Sequence, residues 1–112
     1  MPFILQDRPA ADFASLAASP NVEVLAEDFN GDGTTDLALI NHAAGWSTIP
    51  LALSSVAGFT IQNQPAADFA SFAANPDVAA FAGDFNGDGR GDLALVNTAA
   101  GWNSVIMALN LS

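Results

Sequence analysis

The chain alternates between short apolar runs and clusters of Gly, Pro, Asn and Asp, a rhythm of short strands and turns. Val22-Glu23-Val24-Leu25-Ala26 and Val78-Ala79-Ala80-Phe81-Ala82 have the length and composition of strands. So do Asp36-Leu37-Ala38-Leu39-Ile40-Asn41 and Asp92-Leu93-Ala94-Leu95-Val96-Asn97. A third pair starts at Trp46 and Trp102 and covers residues 47–53 and 103–109. A fourth is Gly58-Phe59-Thr60-Ile61-Gln62, matched at the N-terminus by Pro2-Phe3-Ile4-Leu5-Gln6. One stretch departs from this rhythm: Phe69, Phe72 and Ala73 stand at i, i+3 and i+4, which predicts a helical turn between Pro65 and Pro76.

The elements come in two sets. Asp28 and Asp84 are 56 residues apart, and the same offset lays Pro9-Ala10-Ala11-Asp12-Phe13 on Pro65-Ala66-Ala67-Asp68-Phe69 and Gly45-Trp46 on Gly101-Trp102. More than half of the aligned positions are identical. Such self-similarity is the mark of a repeat architecture, in which each unit needs a neighbour to cover its apolar faces. Four short antiparallel strands per unit predict an all-β chain, a single module over residues 1–112 made of two four-stranded β-propeller blades. Repeat 1 runs over about 7–62 and repeat 2 over about 63–112, the latter completed by strand 2–6 of a neighbouring chain through strand addition. Propellers close with roughly four to eight blades. The expected assembly is therefore a homo-oligomeric closed ring, a trimer of six blades or, alternatively, a tetramer of eight.

Between the first two strands of each unit lies an acidic loop, Asp28-Phe29-Asn30-Gly31-Asp32-Gly33-Thr34-Thr35-Asp36 and Asp84-Phe85-Asn86-Gly87-Asp88-Gly89-Arg90-Gly91-Asp92. Oxygen-bearing side chains occupy loop positions 1, 3, 5 and 9, and a Gly stands at position 6, where the chain must turn sharply. Hard divalent cations require this arrangement, because several oxygens must replace a hydration shell. The expected calcium ligands are Asp28, Asn30, Asp32, the carbonyl of Thr34 and Asp36, and likewise Asp84, Asn86, Asp88, the carbonyl of Arg90 and Asp92. A backbone ligand leaves residue type free at position 7, so Arg90 is no contradiction. An EF-hand would place a bidentate Glu at position 12, where this chain has Leu39 and Leu95. The competing reading is an Asp/Asn/Gly-rich hairpin turn that binds nothing.

Charge narrows the partners. Twelve acidic side chains against Arg8 and Arg90 give a net charge of −10, unsuited to nucleic acid or an anionic membrane. Two divalent cations, +4 together, would bring −10 to −6. There is no cysteine, so neither disulfides nor thiolate chemistry enter. No stretch has membrane length, and the N-terminus lacks the basic and apolar regions of a signal peptide. Calcium loops without the bidentate Glu fill where calcium is abundant, outside the cell or in a periplasm, which leans toward an extracellular place against the missing signal peptide.

Trp46 and Trp102 either stack on a sugar face or fill the gap between blades. Asn41 and Asn97, in the same loops, would add hydrogen bonds to a ligand. His42 has no nucleophile in a catalytic arrangement and is expected to be an exposed loop residue. Asp12 and Asp68 are expected to cap the short helices. No acid/base pair stands apart from the loop carboxylates, so the chain reads as a non-enzyme.

The motif Asp-Phe-Asn-Gly-Asp-Gly-x-x-Asp-Leu, repeated one blade apart, resembles the FG-GAP or VCBS-type repeats of calcium-binding propellers. With Ala99-Ala100-Gly101-Trp102 and Gly58-Phe59-Thr60-Ile61, it resembles the Photorhabdus and Psathyrella type of propeller lectin. The resemblance implies a propeller with one potential sugar pocket per blade or blade interface. A multivalent, calcium-stabilised, non-enzymatic glycan-binding ring is the expectation that follows. The alternative is a structural or protein-interaction propeller fragment, or an engineered blade pair, with well-packed tryptophans and no open pocket beside them.

Overall fold

The computed structural model describes residues 3–56, 58–99 and 101–110. Among these, seven strands form two antiparallel sheets, each preceded in the chain by a short helix. Helix α1 (Ala11–Ala17) precedes β1 (Val22–Glu27), β2 (Asp36–Asn41), β3 (Thr48–Ser55) and β4 (Gly58–Pro65), which pair in chain order. Helix α2 (Ala67–Ala73) then leads into β5 (Val78–Gly83), β6 (Asp92–Asn97) and β7 (Ile106–Ala108), again paired in chain order. The β1–β2 and β5–β6 registers correspond residue for residue, Glu27 opposite Asp36 and Gly83 opposite Asp92.

Period-2 alternation assigns the two faces of the first sheet. Ala38 and Ile40 of β2 join Ile49 in one buried cluster, while Leu39 and Ala52 join Phe13 of α1 in another. The first face packs on the second repeat, against Phe69 and Ala73 of α2 and Val78, Ala80, Leu93 and Leu95 of its sheet. The helix-side face of repeat 2 thus covers the far face of repeat 1. A central strand buried on both sides explains the continuous apolar run Leu37-Ala38-Leu39-Ile40.

Several boundaries differ from the sequence pattern. β4 continues through Pro65, which is tolerated because β4 is the outermost strand and needs no donor on its free side. β7 keeps three residues where seven were expected. Pairing of β6 with β7 extends to Leu95 opposite Ile106, whereas β2 with β3 stops at Ala38 opposite Leu51. The next β3 residue is Pro50, counterpart of Ile106, and it has no N–H to continue the ladder.

Residues 3–10 carry no regular structure, although a strand was expected over 2–6. A strand exists only beside a partner, and Phe3, Ile4 and Leu5 are almost fully exposed here. Pro2 of that segment and Ala100 of the second Gly-Trp turn lie outside the described residues. Both helices form where the i, i+3, i+4 pattern falls, but their N-caps are Ala10 and Ala66 without a side-chain cap. Asp12 and Asp68 sit two residues later than capping requires, within the first turn, where a carboxylate favours the positive end of the peptide dipoles. Among the described residues, no helix is long and apolar enough to cross a membrane.

Candidate metal centre and the tryptophan turns

Each acidic loop is the connection of a tight hairpin, β1–β2 or β5–β6. Gly31 and Gly33 take φ of 75° and 88°, and Gly87 and Gly89 take 77° and 85°, the left-handed region that a side chain disfavours. These turns aim successive backbone N–H groups inward. The carboxylate of Asp28 accepts from Gly31 N at 2.9 Å, Asp32 N at 3.2 Å and Gly33 N at 2.8 Å. Asp84 repeats this with Gly87 N at 2.8 Å, Asp88 N at 3.1 Å and Gly89 N at 2.8 Å.

The last aspartate of each loop opens the next strand and is buried. Asp36 accepts from Phe29 N at 2.9 Å and from Ser54 N of β3 at 2.8 Å. Asp92 accepts from Phe85 N at 2.9 Å and Asn110 N at 2.7 Å. One carboxylate thereby ties the start of the loop to β3 in repeat 1 and to the chain just beyond β7 in repeat 2. The sequence gives no sign of Ser54 or Asn110 in this role, because both act through backbone N–H groups.

The outcome is two clusters, Asp28 with Asp32 and Asp36, and Asp84 with Asp88 and Asp92, each with one oxygen per residue within 4.8 Å of the others. An ionised carboxylate has about four acceptor sites. Asp36 spends one per oxygen on the backbone, which leaves capacity for a cation. The donor set is entirely oxygen, the chemistry of a hard cation. Asn30 stands over the same loop, its Oδ1 3.4 Å from Asp32 N, and Asn86 is exposed at the equivalent position.

Two of the carboxylates, Asp32 and Asp84, are biased toward the charged form. The Thr34 hydroxyl, 2.7 Å from Asp32 Oδ1, and then the Thr34 N–H lower the Asp32 pKa below its ordinary value. The N–H of Gly89 is the main cause that lowers Asp84. Arg90 donates its backbone N–H to Asp88 at 3.0 Å, but its side chain leaves its own loop and lies against Gly31 of the other. The loops also touch directly, Gly91 N donating to Asp28 O at 2.6 Å, and Asn110 Nδ2 from beyond β7 donates to Phe29 O.

The tryptophan turns are less open. Trp46 packs on the cluster of Phe13, Leu39 and Ala52, and Trp102 packs on the cluster between the repeats. Trp102 meets Phe72 edge to face, with centroids 6.0 Å apart. Asn41 and Asn97 turn back on their own loops, each Oδ1 accepting from the N–H two residues on, Ala43 or Ala99, at 2.9 Å. Trp46 and Asn41 border a crevice of about 10 Å³ against α2, scarcely room for one water. A wider cleft of about 620 Å³ separates β3–β4 from the β6–β7 pair, with Leu51, Gln62 and Gln64 on one wall and Leu109 and Asn110 on the other. Neither tryptophan lines it.

His42 is not the exposed loop residue that its position suggested. Its Nε2 lies 2.8 Å from Glu23 Oε1 and its Nδ1 lies 3.0 Å from the carbonyl oxygen of Ala73 in α2. Ala80 N also donates to Glu23 Oε1, at 3.4 Å, so Glu23 and His42 of repeat 1 together grip repeat 2. The signal was in the sequence, as both residues lose their character together in the other copy, where Ala79 and Thr98 stand. Comparison with the sequence profiles of known families, with curated proteins and with solved structures returns no match.

Proposed function

We propose that this chain is a calcium-stabilised, non-enzymatic carbohydrate-binding protein whose copies associate into a closed propeller ring, three chains or four. The observation that carries the reading is the pair of acidic loops, each with three carboxylates converged on one point and, among the described residues, no basic side chain among its hydrogen-bond partners. Calcium suits them because it accepts many oxygens in a flexible geometry, whereas magnesium keeps its own waters. Asp28, Asn30, Asp32, the Thr34 carbonyl and Asp36 would hold one ion, and Asp84, Asn86, Asp88, the Arg90 carbonyl and Asp92 the other. The ion's contribution is structural: it offsets the crowded charge and pins the hairpin.

Carbohydrate binding rests on the Gly-Trp turns and on the lectin resemblance. Trp46 and Trp102 would supply ring faces and Asn41 and Asn97 polar contacts, and repetition around a ring would multiply weak sites into avidity. A specific observation favours a second reading, a structural or protein-interaction module without a sugar site. Both indoles pack against apolar clusters, and the crevice beside Trp46 is too small for a sugar ring. Two measurements decide. Calorimetric titration with calcium should give two sites per chain, and no heat would end the metal reading. Glycan-array binding should vanish when Trp46→Ala and Trp102→Ala are combined; an array blank for the unaltered protein leaves the second reading.

A further inference from the structure

The interface inside the chain shows what the open face of repeat 2 is built to meet. On repeat 1, the far face is covered: Phe29 is 5% exposed and Ile49 6%. Their counterparts on repeat 2, Phe85 and Val105, are 45% and 52% exposed, and Phe81 and Met107 beside them are open as well. The complementary face shows the reverse. Ala80, on the helix side of repeat 2, is 2% exposed, while its counterpart Val24 on repeat 1 is 49% exposed. Each chain therefore presents one uncovered copy of each half of an interface that it already contains. An apolar sheet face of this size is uncommon on a self-sufficient surface.

Substitutions between the repeats go further. At the internal junction, a Cβ on Gly91 would collide with the side chain of Glu27 and lie 3.1 Å from Phe29 Cδ1, so only Gly fits opposite Glu27. The counterpart of Gly91 is Thr35, which is exposed, and the counterpart of Glu27 is Gly83. Large faces small within the chain. If repeat 2 of one copy covers itself with repeat 1 of another in the same geometry, Thr35 meets Gly83, and again one large residue faces one small one with the sides exchanged. A Cβ at Gly83 finds only the Phe85 ring at 3.4 Å, so nothing within the chain itself requires Gly there.

We infer that the far face of repeat 2 docks onto the helix-side face of repeat 1 in a second copy of this chain, with Thr35 seated over Gly83. The contact is head-to-tail, so each addition leaves a new open end until a ring closes. This inference rests on the association part of the proposed function and supplies its interface; it does not depend on calcium or glycan binding. The internal bridge of His42 and Glu23 has no equivalent at this second junction, where Thr98 and Ala79 stand.

The test compares masses by sedimentation velocity in calcium for four proteins. The unaltered chain should sediment as a multimer beyond a dimer. Gly83→Glu should weaken self-association by roughly ten- to a hundredfold, the effect of overpacking a fitted contact. Adding Thr35→Gly to it should restore assembly, because both junctions then carry the Glu-against-Gly pair. Met107→Asp, which places a charge on the open face, should give monomers with an unchanged circular dichroism spectrum, and it decides the matter if Gly83→Glu fails to fold. Assembly unaffected by Gly83→Glu and Met107→Asp would overturn this interface while leaving ring formation intact. A monomeric unaltered chain, or a closed dimer, would overturn both.

Discussion

The two repeats share most of their sequence yet end in different states. Repeat 1 has a four-stranded sheet with a helix on one face and the second repeat on the other. Repeat 2 has three strands among the described residues, one face covered and the other open. The first two strands and the acidic loops correspond position by position, so local sequence there is not the source of the unequal burial. Neighbourhood is. A repeat unit is finished by what packs on it, and the second copy shows what the first would look like unaccompanied.

The largest effect should come from the core leucines. Leu39 and Leu95 are counterparts and both fully buried, Leu39 under α1 and Leu95 between the repeats. Leu95→Ala should cost about 2–5 kcal/mol, with Leu39→Ala toward the lower end, because only the former opens a gap in the cluster that joins the repeats. Urea denaturation of the two variants measures this; equal losses would mean that the repeats fold as separate units. If calcium fills the loops as proposed, loss of one ion comes next: at a hundredfold excess over its dissociation constant, each would add about 2.7 kcal/mol to the folded state. Asp36→Asn and Asp92→Asn should each abolish half of the chelator-sensitive shift in melting temperature.

How much of this was legible in the sequence follows from range. The short apolar runs located β1, β2, β5 and β6 to within a residue, and Phe69, Phe72 and Ala73 located α2, because those signals are local. β7 was overestimated because its length depends on a partner strand, which its own residues cannot reveal. The loop aspartates were legible as a cluster, since spacing alone brings them together. The roles of Ser54 and Asn110 were hidden in backbone donors. Nothing in the sequence explains Gly91 where the first loop has Thr35, and only the approach of Glu27 from the other repeat shows why it must be Gly.

That approach yields the next test. Gly91→Ala should destabilise by about 1–3 kcal/mol through overpacking against Glu27 and Phe29, whereas Thr35→Ala at the equivalent position should stay within about 0.5 kcal/mol in the monomer. Equal effects would show that the repeats do not touch through this loop. The polar grip should matter somewhat less. His42→Ala removes two contacts to other elements and should cost about 1–2 kcal/mol, against about 1 kcal/mol or less for Thr98→Ala, whose hydroxyl donates to the carbonyl of nearby Asp77. Thermal melts of both variants at one pH read the difference.

The smallest expected effect separates the two acidic loops, which differ at position 7, Thr34 against Arg90. In the first loop the Thr34 hydroxyl is the leading cause that lowers Asp32; in the second, the Gly89 N–H leads in lowering Asp84. A carboxylate whose pKa falls on folding adds stability that is complete above its ordinary value, 3.8 for both, and that is lost as pH drops through the lowered value. Both loops should therefore keep their turns at pH 4 in calcium-free solution and loosen only below it. Because both carboxylates are exposed, solvent screens the contribution, and the change belongs to the loops rather than to global stability. Thr34→Val removes the hydroxyl and keeps the backbone donors. NMR titration of the calcium-free protein should then show Asp32 moving back toward its ordinary value while Asp84 stays in place. If the two move together, the loops are electrostatically one site, and the comparison between them holds only for packing.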